Sequence, residues 1–195
     1  MRKALLFAAL LATGVLVVGT VAVANDDDGS GHTGARLNGY QEVSSVSTTG
    51  IASFQMKINR ADESVDYVLS YRGLESPVTQ AHIHFAQRSV NGPITVWLCD
   101  DPNTTPPTPP GPPAQTPPAC AGTEGTVEGT FRRNDVLANG RGIDAGEWEE
   151  LIAAIRVGHA YANIHTTGFP GGEIRGQIND RDQREYTGPP PFASD

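Results

Sequence analysis

Two histidines one residue apart, His82 and His84, are the residues of this chain whose type and spacing most directly suggest chemistry. In an extended segment alternate side chains share a face, so both imidazoles point the same way roughly 7 Å apart. Neutral imidazole is a ligand for copper or zinc, and two such rings can share one ion. His165, in a second alternating segment, could add a third nitrogen. Two or three nitrogen ligands with an open position fit copper better than a closed structural zinc site. Of the other histidines, His32 lies in a polar spacer, and His159 shares a face with His165 but lies roughly 20 Å from it along an extended strand, too far to chelate one ion. The same residues also have a purely structural use. Imidazole donates and accepts at once, so His82, His84 and His165 could link Asn163, Thr166 and backbone groups in a polar layer between strands without any metal.

Glu173 and Arg175 stand two apart on one strand face and could pair with each other, or with groups near the histidines, through a carboxylate–guanidinium contact. A carboxylate beside an imidazole can also act as a general base. Nothing else completes a catalytic set: there is no G-x-S-x-G elbow and no phosphate-binding glycine loop. No catalytic residue is therefore expected. Cys99 and Cys120 are the only cysteines, and in an oxidising compartment they are expected to form a disulfide. Between them, residues 100–119 hold nine prolines. Proline fixes φ and lacks a donor, so this stretch reads as a polyproline-like surface loop pinned at its base. Its prolines could dock on a partner or act as a rigid spacer.

The elements that must position these side chains are mainly strands. Ala52, Phe54, Met56 and Ile58 alternate with Ser53, Gln55 and Lys57, and Val65, Tyr67, Leu69 and Tyr71 repeat the pattern after a turn at Arg60–Glu63. Ala81, Ile83 and Phe85 share the face opposite His82 and His84, and Ile94, Val96 and Leu98 make a further strand. Ala160, Ala162 and Ile164 oppose His159, Tyr161, Asn163 and His165, while Ile174 and Ile178 oppose Glu173, Arg175 and Gln177. One helix is expected: Trp148, Leu151, Ile152 and Ile155 form a single apolar stripe, with Asp144 and Glu147 as an N-terminal signal and Gly158 as the stop. Short strands separated by turn signals predict an all-β, antiparallel two-sheet sandwich of Greek-key type with one short amphipathic helix.

The ends of the chain bear on where it works. Arg2 and Lys3 precede an uncharged run from Ala4 to Val23, and Ala22-Val23-Ala24 has the small-x-small form of a signal peptidase site. Residues 1–24 are expected to be a signal peptide cleaved after Ala24, with an uncleaved anchor as the rival reading. Residues 25–35 read as a flexible linker, 36–179 as the domain and 180–195 as a disordered tail. The net charge is −8, and loss of Arg2 and Lys3 leaves 12 basic against 22 acidic residues. So acidic a chain repels nucleic acid and anionic lipid, which sets aside nucleic-acid binding and stable membrane association after cleavage. A secreted or periplasmic location follows.

Several segments carry a family resemblance. Leu37-Asn38-Gly39-Tyr40-Gln41-Glu42-Val43, Ala81-His82-Ile83-His84 followed by Asn91-Gly92-Pro93, Tyr161-Ala162-Asn163-Ile164-His165-Thr166, and Gly172-Glu173-Ile174-Arg175-Gly176-Gln177-Ile178 stand in the order of the chordin-like (CHRD) domain, and the chain resembles that family over nearly the whole domain. The proline-rich loop looks like an insertion. The resemblance implies an immunoglobulin-like β-sandwich in an extracytoplasmic protein, and a binding or structural module whose extracellular partner, protein, glycan or metal, it does not name. The cysteine-rich modules associated with growth-factor capture in chordin are not in this sequence, so that activity is not carried over. The H-x-H step and the late G-G-E-x-R segment are also loosely similar to copper-zinc superoxide dismutase, although the metal-loop histidines that enzyme needs are missing here. Three functions are thus open: a binding module of unassigned ligand, a copper or zinc binder, and a superoxide-dismutase-like metalloenzyme.

Overall fold

A computed structural model describes residues 31–103 and 116–178. The expected signal segment, the first part of the linker, the middle of the proline-rich loop and the expected tail lie outside the described residues. The strands are β1 (Gly31–Asn38), β2 (Ile51–Asn59), β3 (Ser64–Arg72), β4 (Val78–Phe85), β5 (Ile94–Asp100), β6 (Gly125–Arg132), β7 (Ala160–Thr166) and β8 (Ile174–Gln177), with the helix α1 (Trp148–Arg156) between β6 and β7.

The alternation read from the sequence sets the faces. Phe54, Met56 and Ile58 of β2, Val65, Tyr67 and Leu69 of β3, Ala81 and Ile83 of β4, and Ala162 and Ile164 of β7 all join one apolar core. Trp148, Leu151, Ile152 and Ile155 of α1 enter the same core, each no more than 1% exposed, and the indole of Trp148 meets Phe131 of β6 at 6.3 Å. Asp144 N–H donates to the Glu147 carboxylate at the start of α1, and Gly158, at φ 70°, ends it.

The arrangement of the strands differs from the two-sheet expectation. All eight lie in one antiparallel sheet, ordered β5-β4-β7-β8-β1-β2-β3-β6, which curls into a nearly closed barrel. The halves β5-β4-β7-β8 and β1-β2-β3-β6 are joined through a single register pair, Asn38 opposite Arg175. That narrow joint makes the sheet continuous. β1 begins at Gly31, inside the stretch read as linker, because residues 31–35 pair with Phe54–Ile58 of β2.

At the other side of the barrel, Tyr67 of β3 reaches across β6 and donates its hydroxyl to Leu98 O of β5 at 2.5 Å. The reach depends on Gly129, the cross-strand partner of Tyr67, where a Cβ would stand 2.4 Å from the Tyr67 hydroxyl oxygen. The disulfide Cys99–Cys120, with Cα atoms 5.6 Å apart, holds the end of β5 against the segment that leads into β6. A parallel bridge between Asp100 and Ala119 closes the base of the proline-rich loop beside it.

β7 is buried along its full length, on both faces. Its inner face is core. Its outer face is roofed by the β4–β5 loop (86–93) and by the β1–β2 loop (39–50), whose residues bond down onto it. A second, polar layer is thereby enclosed between sheet and loops, and the histidines lie in it.

Candidate metal centre

The register of β4 against β7 brings the three predicted histidines together. His82 is opposite Asn163 and Gln80 opposite His165, so His165 is the diagonal neighbour of His82 on the same face. The ring centroids are 5.5 Å apart for His82–His84, 5.2 Å for His82–His165 and 6.0 Å for His84–His165. One nitrogen from each ring lies within 4.8 Å of the others. Exposures are 0%, 7% and 8% for His82, His84 and His165.

Backbone carbonyls fix two of the rings. His84 Nδ1 is 2.9 Å from Gly92 O, and His165 Nδ1 is 3.0 Å from Pro170 O. A carbonyl only accepts, so each Nδ1 carries the proton and each Nε2 is left as a lone-pair donor, the tautomer a metal-bound imidazole needs. Both nitrogens of His82, Nε2 of His84 and Nε2 of His165 are buried without a hydrogen-bond partner. Buried polar atoms are ordinarily paired, and one left alone costs about 1–3 kcal/mol.

Burial holds the three rings neutral. It is the largest cause of the lowered pKa at each: His82 falls well below its usual value, with His165 and His84 adding repulsion. His84 falls to about 3, the Gly92 hydrogen bond opposing and the positive charges of His165 and Arg175 reinforcing the drop. His165 is lowered too, against the pull of the Pro170 carbonyl.

Aromatic rings wall the cluster. Trp97 of β5 meets His82 edge-on at 4.3 Å, and Tyr161 of β7 stacks on His84 at 4.8 Å with planes 4° apart. Arg175 lies over the other component of that stack, its Cζ 3.9 Å from the Tyr161 centroid, and donates to Asn91 Oδ1 and Val90 O at 3.1 Å each. Gly92 organises the contact: its carbonyl accepts the hydrogen bond from His84 Nδ1–H while its N–H donates to the Tyr161 hydroxyl at 3.1 Å. A Cβ at Gly92 would fall 2.0 Å from Phe85 O, so only glycine lets the loop backbone come this close to β4.

The other predicted residues of the polar layer make contacts different from those expected. Asn163 Nδ2 donates to Glu42 Oε1 at 2.7 Å and to Ile174 O at 2.9 Å, and no hydrogen bond joins it to an imidazole. Glu173 and Arg175 do not pair. Glu173 accepts from Thr166 Oγ1 at 2.8 Å, Thr48 Oγ1 at 2.7 Å and Glu75 N–H at 2.8 Å, a set that locks the β7–β8 turn to two other loops. Glu173 and Arg175 point along the same strand face, but the loops that cover that face supply each with its own partners.

Glu42, Trp97, Tyr161 and Gln80 acquire places here that sequence reasoning did not give them. Glu42 is 7% exposed, and burial raises its carboxyl pKa against the opposing charge of Arg175 and the Asn163 hydrogen bond. In the sequence it stands only within the family-like segment Leu37–Val43, with no role of its own. Gln80, opposite His165 in register, keeps its Oε1 buried without a partner.

No helix among the described residues is long and apolar enough to cross a membrane. No curated protein and no solved structure matches the chain. The family model of the CHRD domain matches residues 33–178. That span runs from β1 to the residue after β8 and takes in the whole sheet, the roofing loops and all three clustered histidines. The chain therefore belongs to the CHRD domain family.

Proposed function

We propose that the protein is an exported binding module whose ligand is a transition metal ion, copper or zinc, taken by His82, His84 and His165. The observation that carries this reading is the set of four buried imidazole nitrogens without partners, drawn from three rings whose nitrogens lie within 4.8 Å of one another. A polar layer serving only the scaffold would pair those atoms with one another or with backbone. An ion about 2.0–2.1 Å from three nitrogens needs them roughly 3.3–3.6 Å apart, so the rings close in by about 1 Å on binding. Small side-chain rotations supply such a shift.

The membership in the CHRD family and the disulfide support an extracytoplasmic setting, which the signal-like residues 1–24 would provide. The reading is of a binder and not of an enzyme. Glu173, the carboxylate considered as a base, has both oxygens engaged by hydroxyl and backbone donors.

Titration calorimetry and metal analysis of the exported protein with Zn(II), Cu(II) and Cu(I), beside a His82→Ala/His84→Ala variant, test the proposal. One ion per chain, bound by the wild type and lost in a variant that keeps its β-sheet circular dichroism, is the expected result. Failure of all three ions to bind would return the histidines to the scaffold and leave a binding module for some other ligand.

A further inference from the structure

Resting on the metal-site reading, and deepening it, we propose that this site selects monovalent copper over divalent zinc and copper. The argument is one of charge. All three ligands are imidazoles whose environment favours the neutral form, and no aspartate, glutamate or cysteine belongs to the cluster among the described residues. Of the carboxylates around the cluster, Glu42 is held by Asn163 and Glu173 by Thr48, Thr166 and the Glu75 N–H, while Asp100, opposite Gln80 in register and with Oδ1 buried and unpartnered, stands outside the three-histidine cluster. A fixed positive charge acts on the cluster: Arg175, 2% exposed, lies 3.9 Å over the ring of Tyr161, which itself stacks on His84. Gln80, opposite His165 in register, carries no charge, and its buried amide oxygen has no partner.

An ion entering this site gives up its water and gains no anion. The cost of burying charge grows with its square, so a divalent ion bears roughly four times the desolvation cost of a monovalent one. Coordination number points the same way. Zinc takes four ligands in tetrahedral array, and divalent copper prefers four or more in a square plane. Three converging nitrogens walled by Trp97 and Tyr161 offer neither, whereas a d¹⁰ monovalent ion is satisfied by three.

The test is a competition on the exported wild-type protein under anaerobic conditions with a non-thiol reductant that spares the disulfide. Cu(I) is presented as its bicinchoninate complex and Zn(II) as the chloride with a chromophoric chelator. Cu(II) is titrated separately without reductant. Cu(I) is expected to bind one per chain at least roughly 100-fold more tightly than Zn(II), and more tightly than Cu(II), a margin small beside the extra cost of burying a second charge. Loss of Cu(I) binding in His82→Ala locates it. Zn(II) or Cu(II) binding as tightly as Cu(I) would overturn the selectivity while leaving the metal site standing. No binding of any of the three would overturn both.

Discussion

His84 shows how a single residue here is defined by what surrounds it. Its proton is held by Gly92 O, its ring face by Tyr161, and burial pushes its pKa down to about 3 from an ordinary 6.5. His82 and His165 are lowered as well. The consequence for the metal-free protein has a definite sign. Between about 3 and 6.5 the unfolded chain binds protons at His84 that the folded chain refuses, so stability rises with pH and is lost as pH falls below 6.5. Glu42 works the other way, since burial raises its pKa and favours its protonated form in the fold. Urea denaturation of wild type and His84→Gln from pH 7.5 to 4 separates the two: the wild type should lose stability more steeply than the variant, and parallel curves would refute the assignment. Asn163 is a second test at this scale. Replacing it with alanine leaves the buried Glu42 carboxylate and Ile174 O without their donor, at an expected cost of about 1–3 kcal/mol in chemical denaturation.

At the scale of elements, two glycines decide contacts that no apolar pattern announces. The Gly92→Ala variant sets a Cβ against Phe85 O and must lift the β4–β5 loop, taking the acceptor away from His84 Nδ1. If the proposed metal site is right, its affinity for the ion should fall by about 10–100-fold with the fold retained, as expected when a partner that orients a ligand is lost. Calorimetry and circular dichroism on the same sample check this. Gly129→Ala sets a Cβ against Tyr67 and disturbs its bond to Leu98 O across the barrel closure, with an expected loss of about 1–3 kcal/mol in thermal or urea unfolding and no direct effect on metal. β6 also explains why part of the fold was hard to read. Its apolar alternation is interrupted at Gly125 and Gly129 because Tyr71 and Tyr67 of β3 fill those positions from the neighbouring strand. β1 offers little alternation either, with only Leu37 fully buried, and its place is set by its pairing with β2. β2, β3, β4, β7 and α1, each with a clean period of its own, were legible from their residues.

For the whole molecule, the disulfide and the sheet order matter most. Cys99–Cys120 joins positions 21 apart in the sequence and closes the loop at the end of β5. Its removal in Cys99→Ala/Cys120→Ala should cost about 3 kcal/mol in urea unfolding, mostly through the freed unfolded chain, with the sheet still formed. The residues alone determined which side chains share a strand face, that His82 and His84 point together, that the two cysteines join, and that one amphipathic helix packs on the sheet. These are local or unique properties: a period of two or 3.6 needs only neighbours in the chain, and two cysteines allow a single pairing. Only the tertiary structure decided that the eight strands form one curled sheet, that the β4–β7 register places His165 beside His82, and that loops roof the outer face and bury it. Register and strand order depend on contacts between segments about eighty residues apart. The roofing loops are made of the same polar residues a solvent-exposed loop would use, so the pattern of the chain cannot distinguish a lid over three imidazoles from a surface turn.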